Sequence, residues 1–388
     1  MRILLLSFYY PPDIGPGSLR AKSIVDALID AGPKDLKIDV ITTMPNRYYS
    51  LNLSNQNIEY DNQVSVQHIS LPKHKNSMFG QVRAFAAFSI GVQKLIKKKK
   101  WNIVVATSSR LMTASLAALI SKKTNSKLYL DIRDLFTDTI NNIFEKKPQK
   151  ALTPIFFLLE KWTFRSAHKI NIVSEGFMKH FETLTPNLSP SVHTNGIDEI
   201  FIRNNFLLKT KNDKPVILYA GNIGIGQGLH KIIPHVANEL KNVQFKVIGD
   251  GSALKLLTNN YLFKAQNNIE LLSPILRINL INEYQKADIL FLHLNNLKAF
   301  SKVLPSKIFE YAATGKPILA GVSGYAEKFL FNYVEGVQVF NPCDIDGMKN
   351  GLQKLLNGPK HFSRNKFLKN YNRKLIMKKM ANDILSLG

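Results

Sequence analysis

Short apolar runs separated by glycine-rich loops and helically spaced segments recur along the chain. RILLLSFY (2–9) is a nearly continuous apolar run, the mark of a strand buried on both faces. The loop PPDIGPGS follows, and then LRAKSIVDALIDAG, where Leu19, Val25, Leu28 and Ile29 have helical spacing and Gly32 supplies a stop. KIDVITT (37–43) is a second strand, so the chain opens as a βαβ unit. WNIVVATS (101–108) and KLYLDIRD (127–134) repeat the strand pattern around an alanine-rich helix at 111–121, and KINIVSEG (169–176) and SVHTNGID (191–198) close the first half.

The pattern then restarts. PVILYAGNIGIGQG (215–228) has the layout of the N-terminus, a strand running into a glycine loop, followed by the helix LHKIIPHVANEL. VQFKVIGDG, NIELLSP, ADILFLHL and KPILAGV supply further strands. Strands alternating with helices predict parallel, doubly wound sheets, and two such units predict a ligand cleft at the strand ends. The sequence divides into residues 1–198, a linker at 199–214 (EIFIRNNFLLKTKNDK), a second domain at 215–365, and a basic C-terminal helix at 366–388 able to pack back on the first domain.

Charge narrows the partners. Lys and Arg number 52 against 28 Asp and Glu, and the net +24 favours phosphates or an acidic membrane surface. The basic residues sit outside any recognised nucleic-acid module, so nucleic acid is not an expected partner. Cys343 is the single cysteine, which excludes an intrachain disulfide and a cysteine-based zinc cluster and suits a reducing compartment. The opening MRILLLSFYYPP is too short in apolar run for a signal peptide, and no apolar stretch is long enough to span a bilayer. The expectation is a soluble or peripherally bound intracellular protein.

Four stretches carry candidate chemistry. GNIGIGQGL (221–229) places Gly221, Gly224, Gly226 and Gly228 between a strand and a helix, where backbone amides can approach a phosphate. GDG (249–251) ends another strand, Arg277 follows NIELLSP, and VLPSKIFEY sets Ser306, Lys307 and Glu310 at a helix start. A Rossmann dehydrogenase needs Gly or Ala at the sixth place of its glycine motif, whereas GIGQGL and GDGSAL both end in Leu. DID (344–346) precedes a helical pattern and reads as an N-cap. No metal is expected, and no cofactor other than the substrate.

The order of glycine loop, GDG and P-S-K-x-x-E-Y-x-A-x-G-K-P resembles the donor-binding half of family-4 retaining glycosyltransferases of the GT-B fold. It is most similar to the bacterial transferases that add amino or deoxy sugars to O-antigen and capsule lipid carriers. FYYPPDIGPGS, DIRDLF, VSEGF and NGID stand in the corresponding order in the first half. The resemblance implies an α/β protein of two Rossmann-like domains facing across a cleft, an N-terminal acceptor domain and a C-terminal nucleotide-sugar domain. It implies transfer of a sugar from a nucleotide donor, UDP-linked, to a polyprenyl-diphosphate-linked saccharide on the cytoplasmic face of the membrane.

The resemblance also assigns roles. Glu310 accepts hydrogen bonds from ribose hydroxyls, and the amides at Ser306 and Lys307 hold the diphosphate. Gly221, Asn222, Gly224, Gln227, Gly249 and Gly251 line the nucleotide, with Arg277 and Lys307 as cations. Many relatives carry an acid eight residues before Glu310, where this chain has Lys302, and an Arg and a Lys in the first glycine loop, where it has Asn222 and Gln227. Lys302 is then expected to stabilise the leaving diphosphate. Asp134 is expected to touch donor sugar or acceptor, and Gly15 and Gly17 to let acceptor or diphosphate approach. Two other readings stay open: a UDP-sugar 2-epimerase of similar fold and a non-catalytic partner subunit.

Two basic, aromatic segments are expected to meet a membrane surface, the alternative being that their apolar faces pack in the core of the first domain. Residues 73–101 place Phe79, Val82, Phe85 and Phe88 at helical spacing before KKKK, and residues 146–169 include KKPQKALTPIFFLLEKWTFRSAHK.

Overall fold

The computed structural model describes residues 1–13, 15–45, 62–72, 78–108, 110–135, 153–206 and 213–388. The chain forms two compact units, one of Met1–Asn195 with Arg373–Gly388 and the other of Gly196–Asn372. Among the described residues the first holds a seven-stranded sheet and the second a six-stranded sheet. Neighbouring strands pair in parallel throughout both sheets.

In the first unit β1 (Arg2–Ser7) lies between β2 (Lys37–Thr43) and β4 (Ile103–Ser108), with β5 (Lys127–Ile132), β6 (Lys169–Ile172) and β7 (Ser191–Val192) continuing beyond. Ile3, Leu4, Leu5 and Leu6 are fully buried, as the continuous apolar run requires of a central strand covered on both faces. β3 (Val64–Ile69) was not legible as a strand, because its polar Ser65, Gln67 and His68 interrupt the apolar run at the sheet's edge. Helix α1 (Pro16–Ala31) starts at a proline and ends at Gly32, the stop read from the sequence.

The helix Arg373–Leu385 belongs to this first unit. It places Met377, Met380, Ala381 and Ile384 in one core with Ile3, Leu5, Ile24 and Leu28. Beneath it, Arg20 forms a two-pronged pair with the buried Asp131, Nε at 2.7 Å from Oδ2 and Nη2 at 2.8 Å from Oδ1. Thr107 and Asn171 donate to the same carboxylate, and Arg20 also donates to the carbonyls of His193 and Thr194. Burial alone would raise the Asp131 carboxyl, but these donors outweigh it and hold it below the usual carboxylate range.

In the second unit β8 (Val216–Ala220) is central, flanked by β9 (Gln244–Ile248) with β10 (Ile269–Leu272) and by β11 (Ile289–His293) with β12 (Ile318–Gly321) and β13 (Val337–Phe340). The stretch expected to be a linker from 199 does not behave as one. Glu199–Arg203 is a helix capped by Asp198, and Phe201 and Phe206 lie in the core of the second unit, so the chain enters this unit at Gly196. Phe201 within the helix and Phe206 just beyond it bury this stretch although its neighbours are polar. Residues 207–212 of that stretch lie outside the described residues, as do 73–77 and 146–152 of the two basic segments and the Phe79 side chain.

Met380→Ala is expected to destabilise the protein by about 2–5 kcal/mol, the usual range for emptying a buried methionine site. Lys379→Ala, one residue away on the exposed face of the same helix, should stay within about 0.5 kcal/mol. Urea unfolding followed by circular dichroism, with the two variants showing equal midpoints, would refute the packing of this helix.

Candidate active site

The second unit gathers its polar groups at the C-terminal ends of β8, β9 and β11, and the direction of connection along the sheet reverses between β8 and β11. Gly221, just past β8, has φ +144, and Gly249, just past β9, has φ +155, both in the region that disfavours any side chain. A Cβ on Gly249 would stand 1.8 Å from the Gly221 carbonyl oxygen, and one on Gly251 2.5 Å from the Ile223 carbonyl oxygen. The two loops therefore touch backbone to backbone. The Ile223 amide donates to the Asp250 carbonyl at 2.8 Å, and the Gly221 amide to the Ile248 carbonyl at 2.8 Å.

Within the first loop Asn222 Nδ2 donates to Gln227 Oε1 at 2.8 Å, and the Gly224 amide to the same oxygen at 3.2 Å. The two side chains expected to line the nucleotide thus also brace the loop that carries them. Below it lies His293, buried at the end of β11. Its Nε2 accepts from the Cys343 amide, so Nδ1 carries the proton and donates to the Gln227 carbonyl at 2.6 Å. Asn295 continues the clamp, its amide donating to the Gly226 carbonyl and its Nδ2 to the Ile225 carbonyl. Sequence reading missed His293 and Asn295. The signal for them is HLNN after an apolar strand, polar residues at a strand end with no periodicity to mark them.

Helix Lys307–Ala313 presents Lys307 and Glu310 one turn apart on one face, while Ile308, Phe309, Tyr311 and Ala312 are buried. Lys307 reaches the glycine loop: its Nζ lies 2.3 Å from where a Gly221 Cβ would be and 5.1 Å from the centre of the Tyr219 ring. Glu310 lies at the other end, where its Oε2 accepts from the Tyr284 hydroxyl at 3.3 Å. Arg277 joins this end. Its Nη2 is 3.6 Å from Glu310 Oε1 and 3.0 Å from Asp198 Oδ2, and its guanidinium lies over Phe201. Lys302 ends the short turn Lys298–Lys302, whose Phe300 packs against Gly226.

Two further cations hold the helix in place. Arg364, buried to a few per cent exposure, donates to the carbonyls of Ala312, Lys316 and Glu335. Lys316, the lysine of TGKP, donates to the Gln285 and Ala287 carbonyls at the end of helix Arg277–Lys286. Burial lowers both, Arg364 to about 10. Asp344 caps helix Ile345–Asn357 by accepting from the Gly347 amide, the N-cap role read from DID. No group of three or more His, Cys, Asp or Glu able to hold a metal occurs among the described residues.

In the first unit Gly15 and Gly17 stand at the start of α1, after β1. The space left by the missing Gly17 side chain holds the Arg133 guanidinium, whose Nη1 lies 2.5 Å from a Cβ position there. Asp134, beyond the end of β5, is exposed, while its neighbour Asp131 is committed to Arg20. Of the carboxylates in DIRD, Asp134 is the one that faces solvent.

The glycosyl transferases group 1 family model matches residues 202–375. WcaI of Escherichia coli (strain K12), described as a colanic acid biosynthesis glycosyl transferase, is 22% identical over 312 residues, covering 75% of this chain and 76% of that protein. Sucrose-phosphate synthase from Thermosynechococcus elongatus superposes with a TM-score of 0.78 at 13% identity, covering 100% of this chain and 99% of that one. Anabaena HepE in complex with UDP and glucose gives 0.68 at 13% identity over 100% and 99% of the two chains. WaaG, a glycosyltransferase involved in lipopolysaccharide biosynthesis, gives 0.60 at 14% identity over 99% and 97%.

Burial pushes the His293 imidazole down to about 4, only partly offset by the Gln227 carbonyl. Its folded value lies below its unfolded one, so the unfolded chain binds the extra proton first as pH falls. The stability due to neutral His293 is complete above about pH 6.5 and declines as pH drops towards 4, by roughly 3 kcal/mol in all. His293→Gln should flatten that part of the stability profile. Denaturant midpoints of the two proteins measured from pH 7.5 to 4.5 check this, and parallel profiles would contradict it.

Proposed function

We propose that the chain is a glycosyltransferase that moves a sugar from UDP to a lipid-linked saccharide, a reading supported by the match of residues 202–375 to the glycosyl transferases group 1 model and by the two Rossmann-like units of a GT-B fold. The observation that carries the reading is the row from Gly221 through Lys307 to Glu310, a cation on a glycine loop at one end and a partly exposed carboxylate at the other. Those are the groups a nucleoside diphosphate needs. The diphosphate lies against the loop amides and Lys307, and the ribose diol donates to Glu310. Anabaena HepE, with UDP bound, supports a uridine donor. WcaI and WaaG support surface polysaccharide as the product, built with an amino or deoxy sugar as the sequence resemblance implies.

Catalysis in this reading rests on position and charge. Lys307, with Lys302 on the turn that braces Gly226, stabilises the negative charge that grows on the departing diphosphate. Transfer proceeds with retention of configuration. The acceptor falls to the first unit, where the Gly15–Gly17 loop and the exposed Asp134 meet the saccharide.

The protein works on the inner face of the cell membrane. No described helix is long and apolar enough to cross a bilayer. Helix Thr153–Arg165 buries Glu160, Thr163 and Phe164 and turns Ile155, Phe157, Leu158 and Trp162 outward, beside the exposed Arg165. Helix α2 (Met78–Leu95) favours the same surface less, since Phe88 and Val92 are in the core and, among its described large apolar side chains, only Val82 and Ile90 are well exposed. Apolar insertion with adjacent cations is the chemistry of anionic lipid surfaces.

Glu310→Ala is expected to weaken UDP binding by about 1.5–3 kcal/mol, the range for a lost hydrogen bond to a charged group. Unchanged affinity of a folded variant by calorimetry would refute the ribose assignment. Leu158→Glu should reduce co-sedimentation with anionic vesicles about tenfold or more, since a leucine side chain contributes about 1.5–3 kcal/mol on burial. Equal sedimentation of wild type and variant would remove this helix from the membrane reading.

A further inference from the structure

Arg277 stands at the wrong end of the row to serve the diphosphate. The cation on the glycine loop is Lys307, while Arg277 has its Nη2 3.0 Å from Asp198 and 3.6 Å from Glu310. The Arg277 nitrogen nearest the row, Nη2, would have to leave both carboxylates to meet a phosphate. It is also held flat over Phe201, its centre 5.0 Å from the ring. On the other oxygen of Glu310 stands the Tyr284 hydroxyl, at 3.3 Å. Tyr284 is fully buried, stacked on Phe201 with centroids 5.7 Å apart and edge-on to Tyr311 at 5.5 Å. Burial, and then the Glu310 charge, raise the Tyr284 phenol well above its usual range, so it stays protonated and can only donate to the carboxylate.

Each oxygen of Glu310 therefore has its own buried or half-buried support. A glutamate side chain has three torsions, and a carboxylate that must accept two adjacent hydroxyls at once binds well only if both oxygens are already aimed. Two oxygens offer about four acceptor sites, so one contact on each leaves room for a diol. Arg277 rests on Asp198 and Phe201, and Tyr284 on Phe201, so both supports lean on the short helix that the sequence presented as a linker and on its cap.

We propose that Arg277 and Tyr284 are positioning residues that fix the Glu310 carboxylate for the vicinal diol of the donor's ribose, and that Arg277 is not a diphosphate ligand. This rests on the reading that Glu310 meets the nucleotide. Ribose selection at this site is then a property of five residues, Asp198, Phe201, Arg277, Tyr284 and Glu310, and not of the glutamate alone.

Calorimetric titration with UMP, UDP and 2′-deoxy-UDP tests it, on Tyr284→Phe and Arg277→Gln, each made alone and in a Glu310→Gln background. Tyr284→Phe should weaken UMP and UDP equally, by about 3–10-fold, the effect of one hydrogen bond. It should also shrink the preference for UDP over 2′-deoxy-UDP, and in the Glu310→Gln background it should change affinity by less than about twofold, since the coupled pair is already broken. A loss on Arg277→Gln that is several-fold larger for UDP than for UMP would make Arg277 a diphosphate ligand and overturn the proposal. So would additive losses in the double variants. If Arg277→Gln does not fold, Tyr284→Phe, which keeps the ring and its packing, decides alone. Wild type that binds neither nucleotide overturns the uridine reading together with this one, whereas tight binding with an unchanged deoxy preference in Tyr284→Phe overturns only the positioning role.

Discussion

Two backbones in contact, at Gly221 and Gly249, set the geometry on which the second unit's site depends. Neither position can carry a side chain, because the φ values are unfavourable and because a Cβ on Gly249 would enter the Gly221 carbonyl. The contact joins the loops that follow β8 and β9 into one surface. It also leaves a space beside Gly221 that Lys307 fills from a helix nearly ninety residues further on. The hydrogen bonds of Gln227, His293 and Asn295 then hold the loop in the one shape that keeps this contact.

The helix that supplies Lys307 and Glu310 is only two turns long, too short to hold its own position. Its place is fixed from outside. Arg364 takes the carbonyls at its C-terminal end, Lys316 ties the following loop to the end of the preceding long helix, and Tyr311 and Phe309 anchor its inner face. These are buried cations whose donors are matched to backbone carbonyls, an arrangement that is costly to disturb because one missing partner leaves a charge in the core.

Much of this was readable in the sequence, for reasons that can be located. Central strands such as IVVAT and VILYA announce themselves as unbroken apolar runs, and the glycine motifs mark places where no side chain fits. P-S-K-x-x-E places a lysine and a glutamate one helical turn apart by spacing alone. Long-range pairings were not legible. Nothing in TGKP says that its lysine ends another helix, and nothing in LSPILR says that Arg277 will face Asp198, 79 positions earlier, across the ring of Phe201. EIFIRNNF reads as polar because its two phenylalanines find their partners only in the folded unit. A short buried helix and a loose connection share the same composition until the tertiary contacts are known.

The first unit is discontinuous: its last core residues, Met377, Met380 and Ile384, come from the far end of the chain, after the whole of the second unit. A ribosome releases the two units in the opposite order to the one in which they can be completed. The second, made from Gly196 to Asn372 without interruption, can close while residues 373–388 are still to be made. During that interval the first, though older, keeps Ile24 and Leu28 of its first helix uncovered. Its exposure to chaperones and proteases is therefore set by how long the second unit takes to be translated, a kinetic vulnerability written into the order of segments rather than into any single contact.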